Sequence, residues 1–124
     1  MTRKITFVVI LVLCMGVSGS LWAASSPSIE ELKSAAEAGH AKSQYTLGVR
    51  YTAGKDVPKD YDMARQWFEK AAAQNYAKAQ FNLGLMYIRG DGVEQNEAIA
   101  KDWFKRACDN GDEKGCDAYN KFNN

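Results

Sequence analysis

Residues 41–72 read AKSQYTLGVRYTAGKDVPKDYDMARQWFEKAA, and residues 77–108 read AKAQFNLGLMYIRGDGVEQNEAIAKDWFKRAC. A shift of 36 positions carries Ala41, Gln44, Leu47, Gly48, Tyr51, Gly54, Val57, Ala64, Trp67 and Phe68 onto Ala77, Gln80, Leu83, Gly84, Tyr87, Gly90, Val93, Ala100, Trp103 and Phe104. With Ala35, Ala36 and Lys42 meeting Ala71, Ala72 and Lys78, 13 of 36 aligned positions are identical. A fixed period of about 20 to 50 residues marks a stacked-repeat architecture, in which each unit buries its apolar face only against its neighbours.

The spacing within a unit predicts helices. Gln44, Leu47, Gly48 and Tyr51 stand at i, i+3, i+4 and i+7, one stripe of a 3.6-residue helix over about Ala41 to Ala53. Gly54 ends it, and Pro58 cannot restart it because it has no backbone donor. Asp60 is a suitable N-cap for a second helix carrying Ala64, Trp67, Phe68, Ala71 and Ala72. The second unit repeats this from Ala77 to Arg89, with a stop at Gly90 and Gly92, a cap at Asn96 and a helix to about Asp109. Ahead of both, Ser28 and Glu31 form an S-x-x-E capping box for a helix ending near Gly39; a last helix is expected over about Glu113 to Phe122. Gly48 and Gly84 sit mid-helix, where glycine costs about 1 kcal/mol relative to alanine. That repeated cost predicts close approach of the partner helix, with Trp67 and Trp103 packed against the gap.

The N-terminus has a different grammar. Arg3 and Lys4 precede an apolar run from Ile5 to Val17, and small residues follow at Ser18, Gly19, Ser20, Ala23 and Ala24. This is the pattern of a secretory signal peptide over residues 1–23, with cleavage after Ala23 or after Ser25. The run of 13 residues is short for a bilayer span, which needs about 20; membrane contact is expected only through this segment before cleavage. Without Arg3 and Lys4 the 16 basic residues fall to 14 against 15 acidic ones, a formal charge of −1. Charges of alternating sign give no concentrated basic face, so no nucleic acid is expected as a partner.

The pattern A-x-x-Q-x-x-L-G-x-x-Y-x-x-G-x-x-V, followed by A-x-x-W-F-x-x-A-A, resembles the Sel-one-like repeat, a relative of the tetratricopeptide repeat. The resemblance implies an all-α fold, a short α-solenoid of antiparallel helix pairs. It places one domain over residues 28–122, with full repeats at about 41–76 and 77–112 and a half-repeat at each end. It also implies an adaptor that binds proteins or peptides, with no catalytic residues, metal or cofactor. By similarity to tetratricopeptide solenoids, the variable stripe on the first helix of each unit lines a concave groove. Its candidate partner-binding residues are Lys42, Thr46, Val49 and Thr52 in the first unit and Lys78, Asn82, Leu85, Ile88 and Arg89 in the second. Tyr45 and Phe81 share this stripe and suit inter-repeat packing at least as well.

Once Cys14 leaves with the signal, Cys108 and Cys116 remain, and an even count in an exported chain favours a disulfide across the short turn at Asn110 and Gly111. The C-x7-C spacing resembles the cysteine-rich secreted subgroup of this family, although earlier units carry alanine and glutamine at the two positions. Zinc needs about four ligands, and His40 is the lone histidine. Relatives in that subgroup bring β-lactam binding or hydrolysis as a lower alternative. No serine here is followed by lysine three residues on, the spacing of penicillin-recognising enzymes.

The expected protein is therefore a non-enzymatic, periplasmic or secreted interaction module with an unidentified protein or peptide partner. A cell-envelope binding protein or an inhibitor of a lytic enzyme is the alternative. Two full units are fewer than the three or so usual for a stable solenoid, so a monomer or a weak homo-oligomer are both open.

Overall fold

The computed structural model describes residues 25–124. The segment read as a signal peptide, with Cys14, lies outside the described residues. Among the described residues the order is α1 (Ile29–Glu37), α2 (Ala41–Ala53), α3 (Tyr61–Ala72), α4 (Ala77–Arg89), α5 (Glu97–Asp109) and α6 (Glu113–Lys121), with no strand. Each helix packs on the next in sequence, and α4 also touches α6. The all-α repeat fold expected from the sequence is the one observed.

The helix boundaries follow local chemistry. The Glu31 backbone N–H donates to Ser28 Oγ while the Ser28 N–H donates to the Glu31 carboxylate, so the capping box is complete. Asp60 accepts from the Met63 N–H at 3.1 Å, and its repeat-mate Asn96 accepts from the Ile99 N–H at the same distance. Gly54 and Gly90 end α2 and α4 in left-handed conformation, at φ 66° and 75°, which glycine enters without the Cβ clash other residues suffer. After each glycine the loop is tied back by one repeated hydrogen bond: the Asp60 N–H donates to the Tyr51 carbonyl, and the Asn96 N–H to the Tyr87 carbonyl.

The core sits at the junctions between units. Leu47 is fully buried among Leu32 and Ala36 of α1 and Trp67 of α3. One unit on, Leu83 is fully buried in a larger cluster with Ala64, Phe68, Ala71 and Ala72 of α3, and Trp103 packs against it. Each first-helix leucine is thus covered by the helix before it and the helix after it. That shared coverage is why one unit cannot bury its face alone.

The reason for the mid-helix glycines is the expected one, but the residue is different. A Cβ on Gly48 would meet the Phe68 ring, with the nearest carbon at 2.6 Å, and a Cβ on Gly84 would meet the Phe104 ring. Trp67 and Trp103, one residue earlier on the following helix, point instead toward the leucine clusters. One step around a helix is about 100°, enough to move a side chain from one neighbour to another.

The same register explains the cysteines. Gln44 is buried and donates through Nε2 to the Ala36 carbonyl at 3.1 Å; Gln80 donates likewise to the Ala72 carbonyl at 3.2 Å. Each glutamine Oε1 accepts in turn from an amide further along the chain, Gln74 for Gln44 and Asn110 for Gln80, both at 2.9 Å. A further shift of 36 turns Ala72 into Cys108 and Gln80 into Cys116, which are disulfide-bonded with Cα atoms 4.4 Å apart. The last junction carries a covalent clamp where the earlier two carry an amide clamp. Gly115 makes this closeness possible, since its Cβ would fall 2.9 Å from the Cys108 backbone nitrogen.

Candidate functional site

Three hollows run together along the face formed by α2, α4 and α6. The first, about 240 Å³, lies between the C-terminal ends of α2 and α4 and is lined by Thr52, Tyr61, Phe68, Asn82, Leu85, Met86, Arg89 and Asp91. The second, about 490 Å³, lies between α4 and α6. It has an apolar floor of Phe81, Leu85, Ile88, Phe104, Ala118 and Phe122, and a rim of Lys114, Asp117 and Lys121. The third, about 200 Å³, lies at the N-terminal end of the same face among Tyr45, Lys78, Phe81, Asn82, Asp112 and Lys114.

Shared residues make these one surface. Asn82 lines the first and third hollows, Leu85 the first and second, and Phe81 with Lys114 the second and third. The stripe Lys78, Phe81, Asn82, Leu85 and Arg89 has spacings of three and four, so α4 presents it as one face at the centre. The first and second hollows are also repeat-mates: Thr52, Phe68, Asn82, Leu85 and Met86 become Ile88, Phe104, Ala118, Lys121 and Phe122 after 36 residues. An apolar floor replaces a mixed one without any change in backbone architecture.

Of the residues singled out in the sequence, Thr52, Lys78, Asn82, Leu85, Ile88 and Arg89 line these hollows. Lys42, Thr46 and Val49 line none of the three. Val49 packs against the larger core cluster, and the Thr46 hydroxyl donates to the Lys42 carbonyl of its own helix. Tyr45 has both roles. Its ring lies 5.9 Å from Phe68 and 5.3 Å from Tyr76 in the inter-repeat core, while its edge reaches the third hollow. Burial, and then the neighbouring Tyr76, hold its phenol above the ordinary value of 10.0, against an opposing contribution from the Asn82 side chain. The hydroxyl therefore stays protonated and can donate a hydrogen bond.

α6 also lines this face, although the variable stripe read from the two full repeats does not include it. Lys114, Ala118 and Lys121 stand 36 residues beyond Lys78, Asn82 and Leu85, so the repeat itself held the signal. Phe122, 37% exposed and stacked on Phe104 at 6.0 Å between ring centres, is the repeat-mate of Met86, a buried core residue, so the repeat pointed to packing there rather than to an open surface. His40 is exposed at the N-terminal end of α2 and makes no capping bond. Among the described residues no group of three or more His, Cys, Asp or Glu is placed to hold a metal ion, and no helix is long and apolar enough to cross a membrane.

A family model described as the Sel1 repeat matches residues 41–76 and 77–112. Among solved structures, a Sel1 repeat protein from Oxalobacter formigenes is 35% identical with a TM-score of 0.71, over 75% of this chain and 38% of that one. Cysteine rich protein B of Helicobacter pylori is 34% identical with a TM-score of 0.69, over 72% of this chain and 67% of that one. A protective antigen of uropathogenic Escherichia coli displaying an SLR fold is 40% identical with a TM-score of 0.68, over 70% of this chain and 19% of that one. The secretory immunoglobulin A-binding protein EsiB of Escherichia coli is 45% identical over 52 residues, which are 42% of this chain and 11% of EsiB. The matched region thus spans only a small part of the longer relatives.

Proposed function

The chain belongs to the Sel1 repeat family, and from that premise we propose that it is an exported, non-enzymatic module that binds a segment of a partner protein along α2, α4 and α6. One observation carries the reading: most residues identical between the two repeats lie in the core and turns, whereas the hollows, floored in part by the repeated Phe68 and Phe104 and edged by the repeated Lys78, are otherwise lined by residues that differ. Thr52 faces one hollow where Ile88 faces the next, and Asn82 stands where Ala118 follows. A repeat protein that must keep its stack and vary its partner has only such positions to vary. Similarity to EsiB, whose name states that it binds immunoglobulin A, supports a protein as the partner class. The apolar segment after Arg3 and Lys4, together with the disulfide between Cys108 and Cys116, supports export to an oxidising compartment, periplasmic or secreted.

The reading is tested by placing a photoreactive residue at Leu85, and separately at Lys105 on the exposed side of α5, in the producing cell. A crosslinked protein obtained from Leu85 and absent from Lys105 is the expected result. No adduct at Leu85, or the same adduct from both positions, refutes binding on this face.

A further inference from the structure

We infer that the segment bound on this face is acidic, with a large apolar side chain anchored in the hollow between α4 and α6 and a carboxylate placed about three residues away, toward Lys78 and Lys114. This rests on the binding face proposed above and adds its chemistry. The starting observation is a repeated residue without a structural role. Lys42, Lys78 and Lys114 occupy the second position of α2, α4 and α6, 36 residues apart. All three are exposed, and among the described residues none is in an ion pair. A cation in the first turn of a helix opposes the helix dipole, so the local preference runs against lysine there. Packing, capping and turn formation explain the other repeated residues; they do not explain this one.

Two of the three converge on the binding face. Lys78 and Lys114 flank the same hollow, beside the protonated hydroxyl of Tyr45. The acidic residue of that hollow, Asp112, caps α6, where its Oδ2 accepts from the Gly115 N–H at 3.2 Å, and its single negative charge leaves the two lysines in excess. Lys114 also stands on the rim of the apolar hollow, with Lys121 at its far end. Two lysines stand against one aspartate at each hollow, Lys114 and Lys121 against Asp117 and Lys78 and Lys114 against Asp112, and an apolar floor with such a net-positive edge is complementary to an apolar residue flanked by carboxylates. The spacing follows from helix geometry. Lys78 and Leu85 are seven residues apart on α4, about 10 Å along the axis, which an extended peptide covers in about three residues.

A random dodecapeptide library displayed on phage, selected on the purified oxidised chain, tests this without a known partner. Expected binders pair one aromatic or large aliphatic residue with Asp or Glu two to four positions away. Their affinity should fall about tenfold or more with Lys78→Glu/Lys114→Glu, exposed positions whose change leaves the circular dichroism spectrum intact, and should fall in 1 M salt. Binders without acidic enrichment, or indifferent to the lysine reversal, overturn the acidic chemistry; if Leu85→Ser still weakens them, the binding face itself stands. Binders unaffected by Leu85→Ser as well refute the face, and a library yielding no binder overturns the acidic-anchor chemistry while the Leu85 crosslink judges the face.

Discussion

Replacing Gly84 by alanine sets two effects of known size against each other. Alanine is the better helix former by about 1 kcal/mol, so propensity alone predicts stabilisation. The new Cβ, however, would enter the Phe104 ring, with two of its carbons at 2.6 Å (Cδ1) and 3.0 Å (Cζ) and a third nearer still. Phe104 is 2% exposed, and its ring is held by Phe81 at 5.6 Å and Phe122 at 6.0 Å between centres, so it has little room to retreat. Overpacking of this kind costs about 1–3 kcal/mol in a tight core. With the ring rigidly held, the upper part of that range applies, and Gly84→Ala should lower stability by about 1–2 kcal/mol net. The repeat supplies its own remedy: α1 carries Leu32 at the position that Phe68 and Phe104 occupy in α3 and α5. Phe104→Leu alone should cost about 1–2 kcal/mol for the void it leaves. Combined with Gly84→Ala, the new methyl fills that void, so the pair should cost less than the sum by about 1 kcal/mol. Urea unfolding of the wild type, both single variants and the double variant, followed at 222 nm, completes the cycle. A Gly84→Ala chain more stable than wild type, or a strictly additive pair, would show that the glycine is not there to admit the ring.

Two further outcomes follow from the clamps and from Tyr45. Reducing the Cys108–Cys116 bond, which closes a loop of sequence separation 8, should lower stability by about 2–3 kcal/mol in thermal unfolding with and without a phosphine reductant; Cys108→Ala/Cys116→Gln, which installs the arrangement of Gln44 and Gln80, should recover about 1 kcal/mol relative to Cys108→Ala/Cys116→Ala. The raised Tyr45 phenol gives an alkaline dependence: above pH 10 the unfolded chain loses this proton before the folded one, so stability falls as pH rises from there. Tyr45→Phe should flatten that fall in urea titrations between pH 9 and 11, and an unchanged slope would remove Tyr45 as its source.

How much was legible differs from element to element. The capping box at Ser28 and the caps at Asp60 and Asn96 depend on residues three apart, so the helix starts were readable. Among the groove residues, Leu85 and Ile88 were placed on the hollows and Val49 was not, although Val49 and Leu85 are repeat-mates. Val49 packs against the larger core cluster, whereas Leu85 stands where the first and second hollows meet.

The sequence by itself determined the unit, its helices and the identity of its core, because helical period, capping and left-handed glycine turns act over a few residues and are written twice in this chain. It also set Cys108 and Cys116 on either side of a short turn, within reach of each other. The tertiary structure alone decided that Phe68 and Phe104, rather than the adjacent tryptophans, fill the gaps over Gly48 and Gly84. It decided too that α6 contributes Lys114, Ala118, Lys121 and Phe122 to the candidate binding face. The physical reason is common to both: a periodic pattern specifies which side of a helix is apolar, but the side chain met there depends on how the ridges of one helix cross the grooves of the next, a relation between segments that no single stretch encodes.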